Sequence, residues 1–517
     1  MRQWMVAAKK ADFYAIAEKF HVDPVVARII RNREVIGEKN IRIYLGGNLS
    51  DLSDPHQMKD MDRLVEILAQ KIRKQVHIRI IGDYDVDGVT SSHLFLTALR
   101  RVGAKVDVVI PHRIQDGYGL SLHLLQQAKE DGVDTILTCD NGIAAIDEIA
   151  WAKAQKMTVL VTDHHAVPFE EHEGRRTEKK SLADAVVNPH QQDCGYPYKE
   201  LCGAGVAWNV IRVLYENYDM DKREAEDLLD FVAMATVCDV MSLTGENRIL
   251  VKEGLKRIRH TKNIGLQALM QACNVQPENI SAYHFGYVLG PCVNATGRLD
   301  TARHALRLFE TGQETEAEEI ARDLVDLNQE RKELTLQGVE MAKKLCEEGG
   351  YENDPVLVLF LPDVHESIAG LIAGRIREMY NRPVFVLTRG EEGVKGSGRS
   401  TENYSMYENM CGCAELFTKF GGHPMAAGLS LPEENVEKFR RKINENCPLT
   451  VEEVCPDIHI DMAMPVGYAS TELVHQFALL EPFGKDNPSP LFADRNLSIS
   501  RMWLIGKNRN VLRMSVL

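Results

Sequence analysis

Three aspartates at alternate positions, Asp83, Asp85 and Asp87, are the residues of this chain best suited to chemistry. They follow the apolar run Ile78–Ile81, which predicts a buried strand with carboxylates at its carboxyl end. A helix is predicted to start near residues 90–92. Like charges this close repel one another, and their hard oxygen ligands suit Mg²⁺ or Mn²⁺. The alternative is a solvated acidic turn with a helix N-cap.

Further polar residues end the strands predicted next. Asp140 follows the run TILTC, and Asp163, His164 and His165 follow TVLVT. A fourth candidate, Asp239, stands in ATVCDVMSL. The alternation of strands and helices predicts an α/β fold with a doubly wound, mostly parallel sheet. Ligands of such sheets bind beyond the carboxyl ends of the strands, where these side chains are expected.

Each of these residues, taken alone, has a plain explanation. A single aspartate after a strand is usually a helix N-cap, and a histidine pair is more often on the surface. Four independent caps would rarely combine three alternate acids with tandem histidines. A two-metal site accounts for them together, with ions roughly 3.5–4 Å apart that clamp a phosphate for in-line displacement. One aspartate is expected to bridge both ions.

The motifs DYDVDG, CDNG and DHH, with the later Asp239, resemble the four motifs of the DHH phosphoesterase superfamily. The segments NPHQ, GAGVAW and NATGRLDTA extend the resemblance over nearly the whole chain. Within the superfamily the chain is most similar to the single-strand-specific 5′→3′ DNA exonucleases. The resemblance implies two Mn²⁺ or Mg²⁺ ions. Asp85 and Asp140 would bind one of them, and Asp87, Asp140, His164 and Asp239 would bind the other, so that Asp140 bridges both.

The resemblance implies roles for three neighbours of these ligands as well. Asp83 would orient a ligand or bind a water molecule. Asp163 would hydrogen-bond a metal ligand and so fix its orientation. His165 would face the substrate phosphate, and His165, His164, Asp140 and Arg298 would form the catalytic group.

The second half of the chain adds a long charged helix and another α/β unit. Residues 314–348 keep helical spacing and are expected to separate two lobes, with a mostly solvated charged face. From Pro355 onward, VLVLFL, VHESIAGLIAGRI, VFVLT, KGSGRS and FGGHPMAAG resemble the DHH-associated domain, which holds substrate over the metal lobe. The chain departs from the family pattern at Ser367, where a glycine is usual.

Several cationic and hydroxyl side chains are candidates for binding phosphate, since guanidinium forks and backbone donors suit its oxygens. The resemblance implies that Arg113, Ser397 and Arg399 bind the 5′-terminal phosphate. Arg298 and His423 would hold phosphates nearer the cut.

Two of these assignments have structural alternatives. Arg298 would instead form an ion pair with Asp300 or Glu310. The glycine pair in GGHP would be a plain turn.

From Cys455 onward the residues alternate between apolar and polar, and EPFGKDNPSPLF resembles the lead into an OB-fold of these exonucleases. Small β-barrels of this type bind single strands by stacking and backbone contacts. Since the chain stops within a predicted strand, either the sequence is truncated, or the module is incomplete or completed by a partner. The predicted domains are a helical lead (1–50), a DHH catalytic domain (51–312), a linker helix (313–349), a DHH-associated substrate-binding domain (350–450) and an incomplete OB-like segment (451–517).

Composition limits the remaining choices. The chain has 517 residues, 44% of them hydrophobic and 26% charged, as in ordinary soluble proteins. Neither a run of about 20 apolar residues nor a signal peptide is visible, and eleven scattered cysteines without a CxxC pair predict reduced thiols in the cytoplasm. With a net charge of −14, a nucleic-acid partner would need a locally basic groove.

The predicted function is therefore a metal-dependent 5′→3′ exonuclease that degrades single-stranded DNA to 5′-mononucleotides in repair and recombination. We expect a monomer without membrane contacts, with a helicase and a single-strand-binding protein as partners. One alternative is a phosphodiesterase for oligonucleotides or cyclic dinucleotides. Another is a catalytically inactive replication scaffold.

Overall fold

The computed structural model describes residues 4–113, 116–117, 119–172, 175–351, 354–390, 393–449, 458–506 and 509–517. The chain forms two compact units, one of Met1–Gly47 with Cys455–Leu517 and one of Asn48–Val454. Each unit has hydrophobic core residues of its own.

The α-helices are, in chain order, α1 (Phe13–Phe20), α2 (Pro24–Asn32), α3 (Glu38–Gly46), α4 (Met61–Arg73), α5 (Val86–Arg101), α6 (Leu122–Glu130), α7 (Ile146–Ala154), α8 (Gly203–Asn217), α9 (Lys222–Glu226), α10 (Leu229–Cys238), α11 (Gly245–Arg257), α12 (Ile264–Ala272), α13 (Ala282–His284), α14 (Gly290–Leu299), α15 (Ala302–Glu310), α16 (Glu314–Glu348), α17 (Ala369–Tyr380), α18 (Met406–Cys411), α19 (Val436–Glu445) and α20 (Thr471–Phe477). The strands are β1 (Trp4–Val6), β2 (Ile78–Ile81), β3 (Val106–Val109), β4 (Thr135–Cys139), β5 (Thr158–Thr162), β6 (Phe169–His172), β7 (Arg175–Glu178), β8 (Ala185–Val187), β9 (Leu357–Phe360), β10 (Val384–Gly390), β11 (Gly393–Arg399), β12 (Lys419–His423), β13 (Ala426–Leu431), β14 (Ile458–Ile460), β15 (Met462–Ala463), β16 (Phe492–Ala493), β17 (Ile499–Ile505) and β18 (Val511–Val516).

Five parallel strands in the order β3-β2-β4-β5-β8 form the first sheet of the larger unit. Strands β2 and β4 are buried along their whole length, as expected for strands covered on both faces. The chain passes from β2 outward to β3 and returns to β4 on the other side of β2. The strand order therefore reverses between β2 and β4, and their carboxyl ends border a crevice suited to a ligand. This confirms the predicted doubly wound parallel sheet.

Helices cover both faces of this sheet. On one face, α4, α5 and α8 bury side chains such as Leu64, Phe95 and Trp208 in the main core. On the other face, α6 and α7 bury Leu125 and Ile149 in a smaller cluster. Removing this apolar surface from water stabilises the fold at roughly 25 cal/mol per Å². A sheet fixed on both faces holds its strand ends in place.

Helix α5 begins at Val86, so the predicted start near residues 90–92 is wrong. Asp85 is the N-cap residue, because its Oδ1 accepts a hydrogen bond from the Gly88 backbone N–H at 3.0 Å. The N-cap interpretation of this stretch is thus correct for one of its three acids. Asp87 falls in the first turn, where the positive end of the helix dipole favours its negative charge.

Helix α16 spans the predicted 35 residues and belongs to two cores. Ala321 and Leu324, in its first half, pack into the core of the first sheet. Val339 and Ala342, in its second half, pack against the helix and strands that follow. The long charged helix of the sequence is therefore confirmed, and its apolar side joins both α/β parts of the larger unit.

The second sheet has the order β12-β13-β11-β10-β9, with β9 and β10 parallel and the other pairs antiparallel. Helix α17 buries Ile372 and Ile376 on one face of it. Helix α19 buries Phe439 and Ile443 on the other face. Strand β11 crosses the middle of the sheet and ends in KGSGR, which places Ser397 and Arg399 on a rigid element.

The smaller unit is built from both ends of the chain. Strand β1 pairs in parallel with β14, and residues of α1, α2 and α3 share a core with Leu473 and Leu480. Strands β17 and β18 form an antiparallel hairpin. The segments predicted as a helical lead and as an OB-like module thus contribute to one compact unit.

A buried ion pair ties these two ends together. Arg33 donates to both carboxylate oxygens of Asp461, at 2.7 and 3.1 Å. Replacing Arg33 with alanine leaves the Asp461 charge buried without its partner. We expect a loss of about 3–5 kcal/mol in the opening free energy of the smaller unit, measured by hydrogen exchange at α2 and β14.

Lys19→Ala is the control for this variant, because the Lys19–Glu38 pair is exposed. It should change the same free energy by no more than about 0.5–1 kcal/mol. Equal effects of the two substitutions would contradict a stabilising role of the buried pair.

Among the described residues, no helix combines the length and the apolar composition that crossing a membrane requires.

Candidate metal centre

The first acids of the site lie in a tight turn between β2 and α5. A Cβ added at Gly88 would lie 2.4 Å from the backbone oxygen of Asp83, so only glycine fits there. This close approach folds the first turn of α5 back over Asp83, which is 1% exposed. Asp83 and Asp85 consequently point into the same crevice as the acids of the neighbouring strands.

Asp87 is held by the N-terminus of α8. Its two carboxylate oxygens accept hydrogen bonds from the backbone N–H groups of Gly203 and Ala204, at 2.6 and 2.7 Å. A Cβ added at Gly203 would lie 2.6 Å from the Cβ of Asp140. The GAGVAW segment therefore needs its first glycine so that a helix N-terminus can approach two acids at once.

Asp140 and His164 meet at the centre of the cluster. Asp140 follows β4 in a left-handed conformation, with φ of 61°, and is 2% exposed. Its Oδ1 lies 3.1 Å from Nε2 of His164, which follows β5. The same Nε2 lies 3.7 Å from Asp87 Oδ2 and 3.6 Å from Asp239 Oδ2.

Asp239 is not at a strand end, so this part of the prediction is wrong. It is the C-cap residue of α10, with its backbone N–H bonded to the Ala235 carbonyl. Its side chain nevertheless lies with those of Asp87 and His164. The carboxylate that was expected at the end of a further strand is thus supplied by the end of a helix, α10.

Asp163 organises the two histidines. One of its oxygens accepts hydrogen bonds from the backbone N–H groups of His164 and His165 and contacts the His165 Nδ1 at 2.8 Å. The other accepts the Ile143 N–H at 2.9 Å. Although burial alone would raise it, these bonds lower the pKa of Asp163. The fixed negative charge outweighs the burial of His165 and raises the pKa of its imidazole to about 9.

The remaining acids are buried close together, and their negative charges repel one another. Burial, and then the neighbouring carboxylates, raises the pKa values of Asp83, Asp85 and Asp140. Burial lowers the pKa of His164. A cluster of this kind is costly when its acids are ionised, and a divalent cation removes the cost.

The donors form three groups, each with ligand atoms within 4.8 Å of one another. The groups are Asp83 with Asp85 and Asp140, Asp87 with His164 and Asp239, and Asp140 with His164 and His165. Asp140 belongs to two of them, as a bridging ligand would. Among the described residues, Asp83 Oδ1 and His164 Nε2 are buried without a hydrogen-bond partner. Hard oxygen donors and one imidazole fit two ions such as Mn²⁺ or Mg²⁺.

Binding of the cation should stabilise the fold. We expect Mn²⁺ or Mg²⁺ at a hundredfold excess over its dissociation constant to add about 2.7 kcal/mol to the free energy of unfolding. Differential scanning fluorimetry would show a rise in Tm that EDTA reverses. An unchanged Tm at millimolar Mn²⁺ would contradict the metal site, and KCl at the same ionic strength is the control.

A cavity of about 520 Å³ adjoins the acids and is lined by cations. Tyr84, between the first two acids of the motif, lines it together with Arg113, Arg298 and Arg399. Arg113 lies over the Tyr84 ring, 4.9 Å from its centre. None of these three arginines forms an ion pair with an acid in the described part of the chain. The cavity is thus locally basic in a protein of net charge −14.

Arg298 and Arg399 are positioned by backbone oxygens. Arg298 donates to the Ser367 carbonyl at 2.7 Å, and Arg399 donates to the Gly398 carbonyl at 2.7 Å and to the Ser397 hydroxyl at 3.2 Å. Burial, and then neighbouring arginines, lowers the pKa of Arg298 to about 10 and also lowers the pKa of Arg399. An anion would relieve this repulsion.

The alternative ion pairs of Arg298 are not formed. Glu310 lies 3.7 Å from Arg100, and Asp300 lies 3.7 Å from His304. The serine at position 367 contributes its carbonyl to Arg298 and contacts His365 through its hydroxyl.

The structure brings most of the predicted residues together, with one exception. His423 ends the exposed strand β12 and is not among the residues that line the cavity. Its predicted contact with a phosphate stays a prediction.

Sequence reasoning assigned no role to Asn294 and Asn188. Asn294 Oδ1 accepts the Val86 N–H at 3.1 Å, and Asn188 Nδ2 donates to the His165 carbonyl at 2.9 Å. Asn294 lies in NATGRLDTA and Asn188 lies in NPHQ. Both segments resemble the family, so the sequence did indicate that these two residues matter.

Comparison with known families agrees with this architecture. Residues 77–236 match the DHH family, N-terminal domain, residues 353–447 match the DHHA1 domain, and residues 460–517 match the RecJ OB domain. The sheet, the acid–histidine cluster and these matches define a protein of the DHH class.

Comparison with individual proteins shows to which family within the DHH class the chain belongs. The chain is 33% identical to the single-stranded-DNA-specific exonuclease RecJ of Bacillus subtilis, over 97% of this chain and 62% of that one. It is 34% identical to the RecJ of Haemophilus influenzae, over 95% of this chain and 86% of that one. The crystal structure of Thermus thermophilus RecJ with Mn²⁺ superposes with a TM-score of 0.84 at 27% identity, over 99% of this chain and 72% of that one. The chain belongs to the RecJ family.

Proposed function

We propose that this protein is a metal-dependent 5′→3′ exonuclease that hydrolyses single-stranded DNA to 5′-mononucleotides. The observation that carries the proposal is a paired metal-ligand cluster, sharing Asp140, beside a cavity whose arginines have no acidic partners among the described residues. The relatives in the RecJ family bear the name of single-stranded-DNA-specific exonuclease. The chain spans less than two thirds of the Bacillus subtilis relative, so the activity of the whole protein is part of this proposal.

Two Mn²⁺ or Mg²⁺ ions fit the cluster. Asp85 and Asp140 would hold one, with Asp83 beside it. Asp87, Asp140, His164 and Asp239 would hold the other. When bound, such ions lower the pKa of water and stabilise negative charge on a phosphoryl group.

The chain's own residues complete the chemistry. Asp163 fixes the ring of His165 and keeps it protonated at neutral pH, because the pKa of His165 is raised to about 9. We assign His165 to the scissile phosphate, where its imidazolium can offer a proton to the leaving 3′-oxygen. Arg298, fixed by the Ser367 carbonyl, neutralises charge that develops on the phosphate.

The second α/β part of the unit, together with Arg113 of the first part, would determine that cleavage starts at the 5′ end. Arg113, Ser397 and Arg399 are assigned to the 5′-terminal phosphate, with Arg399 offering a rigid fork of donors. A terminal phosphate held at a fixed distance from the metal ligands would release one nucleotide per cut.

The test uses 5′-phosphorylated strands labelled at either end, incubated with Mn²⁺. We expect labelled mononucleotide to appear first from the 5′-labelled strand, and no cleavage of blunt duplex. Release from the 3′ end first would contradict the assignment of the phosphate pocket. Parallel assays with RNA and with dinucleotides separate the two other candidates. Faster cleavage of dinucleotides would favour a small-substrate phosphodiesterase, and no cleavage of any substrate would favour the inactive scaffold.

The cellular assignments belong to the same proposal. We place the enzyme in DNA repair and recombination in the cytoplasm, as a monomer that acts with a helicase and a single-strand-binding protein. The scattered cysteines without a CxxC pair support a reducing compartment. The proposed domain limits remain those predicted from the sequence, 51–312 for the catalytic part and 350–450 for the substrate-binding part.

A further inference from the structure

Two cysteines outside the metal centre lie in contact. Cys273 is the C-cap residue of α12, and Cys292 lies in the first turn of α14. Their sulfurs are 3.8 Å apart. A disulfide requires about 2.05 Å, so the sulfurs would have to move less than about 2 Å closer together. Cys292 is buried, whereas Cys273 is partly exposed and within reach of a small oxidant.

The contacts of Cys292 act in both directions. Its sulfhydryl donates to the Val288 carbonyl at 3.3 Å, which favours the thiol, whereas the contacts with Cys273 and Asn328 favour the thiolate. The hydrogen bond from Cys273 lowers the pKa of the Cys292 thiol, against the opposing effect of burial. Asn328 donates to the same sulfur at 3.3 Å, and the cations of Lys332 and Arg331 act in the same direction. A thiolate is the form that attacks a peroxide or an oxidised sulfur.

The thiols next to the metal centre differ from this pair. Cys139 and Cys238 precede the ligands Asp140 and Asp239, and Cys202 precedes the helix N-terminus that holds Asp87. Burial raises the pKa of each, to about 12 for Cys139. Buried thiols of this kind are unreactive. The contact and the polar neighbours therefore distinguish Cys273 and Cys292 among the thiols of the core.

We propose that Cys273 and Cys292 form a redox pair that a peroxide closes into a disulfide, and that closure slows strand cleavage. The effect on cleavage rests on the proposed function, whereas formation of the bond does not.

The chemistry consumes one peroxide for two electrons. The Cys292 thiolate takes an oxygen from hydrogen peroxide, so that the O–O bond breaks and a sulfenic acid forms on Cys292; the hydroxide that leaves takes up the proton lost by Cys292 and gives one water. The Cys273 sulfur then attacks the Cys292 sulfur and displaces a second hydroxide, which takes up the proton lost by Cys273 and leaves as a second water. A dithiol reductant reverses the bond by exchange.

Helix α14 connects the pair to the site. It carries Asn294, which accepts the Val86 N–H of the acidic turn, and Arg298, which donates to the Ser367 carbonyl. Drawing the first turn of α14 toward α12 would displace both contacts. Because misplacement by about 1 Å can cost up to about 10²-fold in rate, we expect cleavage to fall about tenfold.

The experiment treats the metal-free, reduced protein with hydrogen peroxide, removes the peroxide and then adds Mn²⁺. Peptide mass spectrometry without reductant should find Cys273 linked to Cys292. The cleavage rate on a 5′-phosphorylated strand should fall about tenfold and recover with dithiothreitol. Cys273→Ser should abolish the linked peptide and keep its rate after peroxide, and Cys292→Ala should behave alike. Cys411→Ser, which removes an exposed thiol, should respond as the unaltered protein does.

Each result decides a separate point. Absence of the linked peptide would overturn the redox pair. A linked peptide with an unchanged rate would overturn the coupling through α14, as would an equal loss of rate in Cys273→Ser. A reduced protein that cleaves no strand would refute the proposed function, and the linked peptide would then decide the redox pair by itself.

Discussion

Replacing Asp140 with asparagine is expected to lower strand cleavage by about 10³-fold or more, because the proposed ligand shared by both metal positions is lost. Asparagine keeps the size of the side chain and tolerates the left-handed backbone at this residue, where φ is 61°. Asp140→Ala should abolish cleavage as well. The rate of mononucleotide release from a 5′-labelled strand with Mn²⁺ is the measurement.

The same substitution should stabilise the metal-free protein. Burial and four neighbouring acids raise the pKa of Asp140 in the fold, so its ionisation costs stability once the pH exceeds the value of the unfolded chain, about 3.9. That cost grows as the pH rises toward the raised pKa of the folded state. The metal-free variant should therefore have a higher Tm than the unaltered protein at pH 8, and a smaller advantage near pH 5.

The change in Tm on adding Mn²⁺ separates the loss of a metal ligand from the removal of a buried charge. Mn²⁺ should raise the Tm of the unaltered protein and should raise that of Asp140→Asn much less. Asp147→Asn, an exposed acid at the start of α7, is the matched control and should leave both rate and Tm unchanged. Full cleavage by Asp140→Asn, or an undiminished Mn²⁺ shift, would rule out a bridging role.

Replacing Arg399 with alanine is expected to lower the cleavage of a 5′-phosphorylated strand by about 10–100-fold. A charge-assisted hydrogen bond contributes about 1.5–3 kcal/mol, and the forked guanidinium is fixed beside Ser397. A Cβ added at Gly370 of α17 would lie 2.8 Å from the Arg399 Nη2 and 2.8 Å from the Ser397 Oγ, so this glycine allows both groups to approach the helix closely. The expected loss on a strand with a 5′-hydroxyl is less than about threefold, since no phosphate is present to bind.

Arg399→Lys should recover only part of the preference for a 5′-phosphate, because an ammonium keeps the charge without the fork. Arg389→Ala is the control on the neighbouring strand β10, where the arginine is exposed and pairs with Glu433. It should leave both rates unchanged. Equal losses on phosphorylated and unphosphorylated strands would assign Arg399 to another part of the substrate.

Local patterns in the chain were sufficient for the elements that carry the site. The apolar runs before Asp83, Asp140 and Asp163 each become a buried parallel strand, because a strand covered on both faces is apolar along most of its length. The helix at residues 314–348 was predicted at its observed limits, since its apolar period extends over many turns. These features depend on neighbours in sequence, which a single chain displays.

Local patterns were insufficient where a helix boundary or a neighbour was decided by packing. The start of α5 was predicted too late in the chain. Acids at alternate positions are typical of a loop, whereas in the structure Asp85 caps a helix that already begins at Val86. Asp239 was placed at a strand end, although α10 presents it from a helix C-terminus. Both errors concern which element carries a residue, and in both cases the side chain still reaches the cluster.

By itself the sequence determined which candidate donors the chain offers, since the capacity of a carboxylate or an imidazole to bind a metal belongs to the residue type. Only the tertiary structure decided how the donors are held. The α8 N-terminus reaches Asp87 from 116 residues away, and Asn294 reaches Val86 from 208 residues away. The contact between Cys273 and Cys292 arises in the same way, because α12 and α14 both pack against α16. Such contacts have no periodic pattern in the sequence, because they depend on how whole helices and strands pack and not on the spacing of residues.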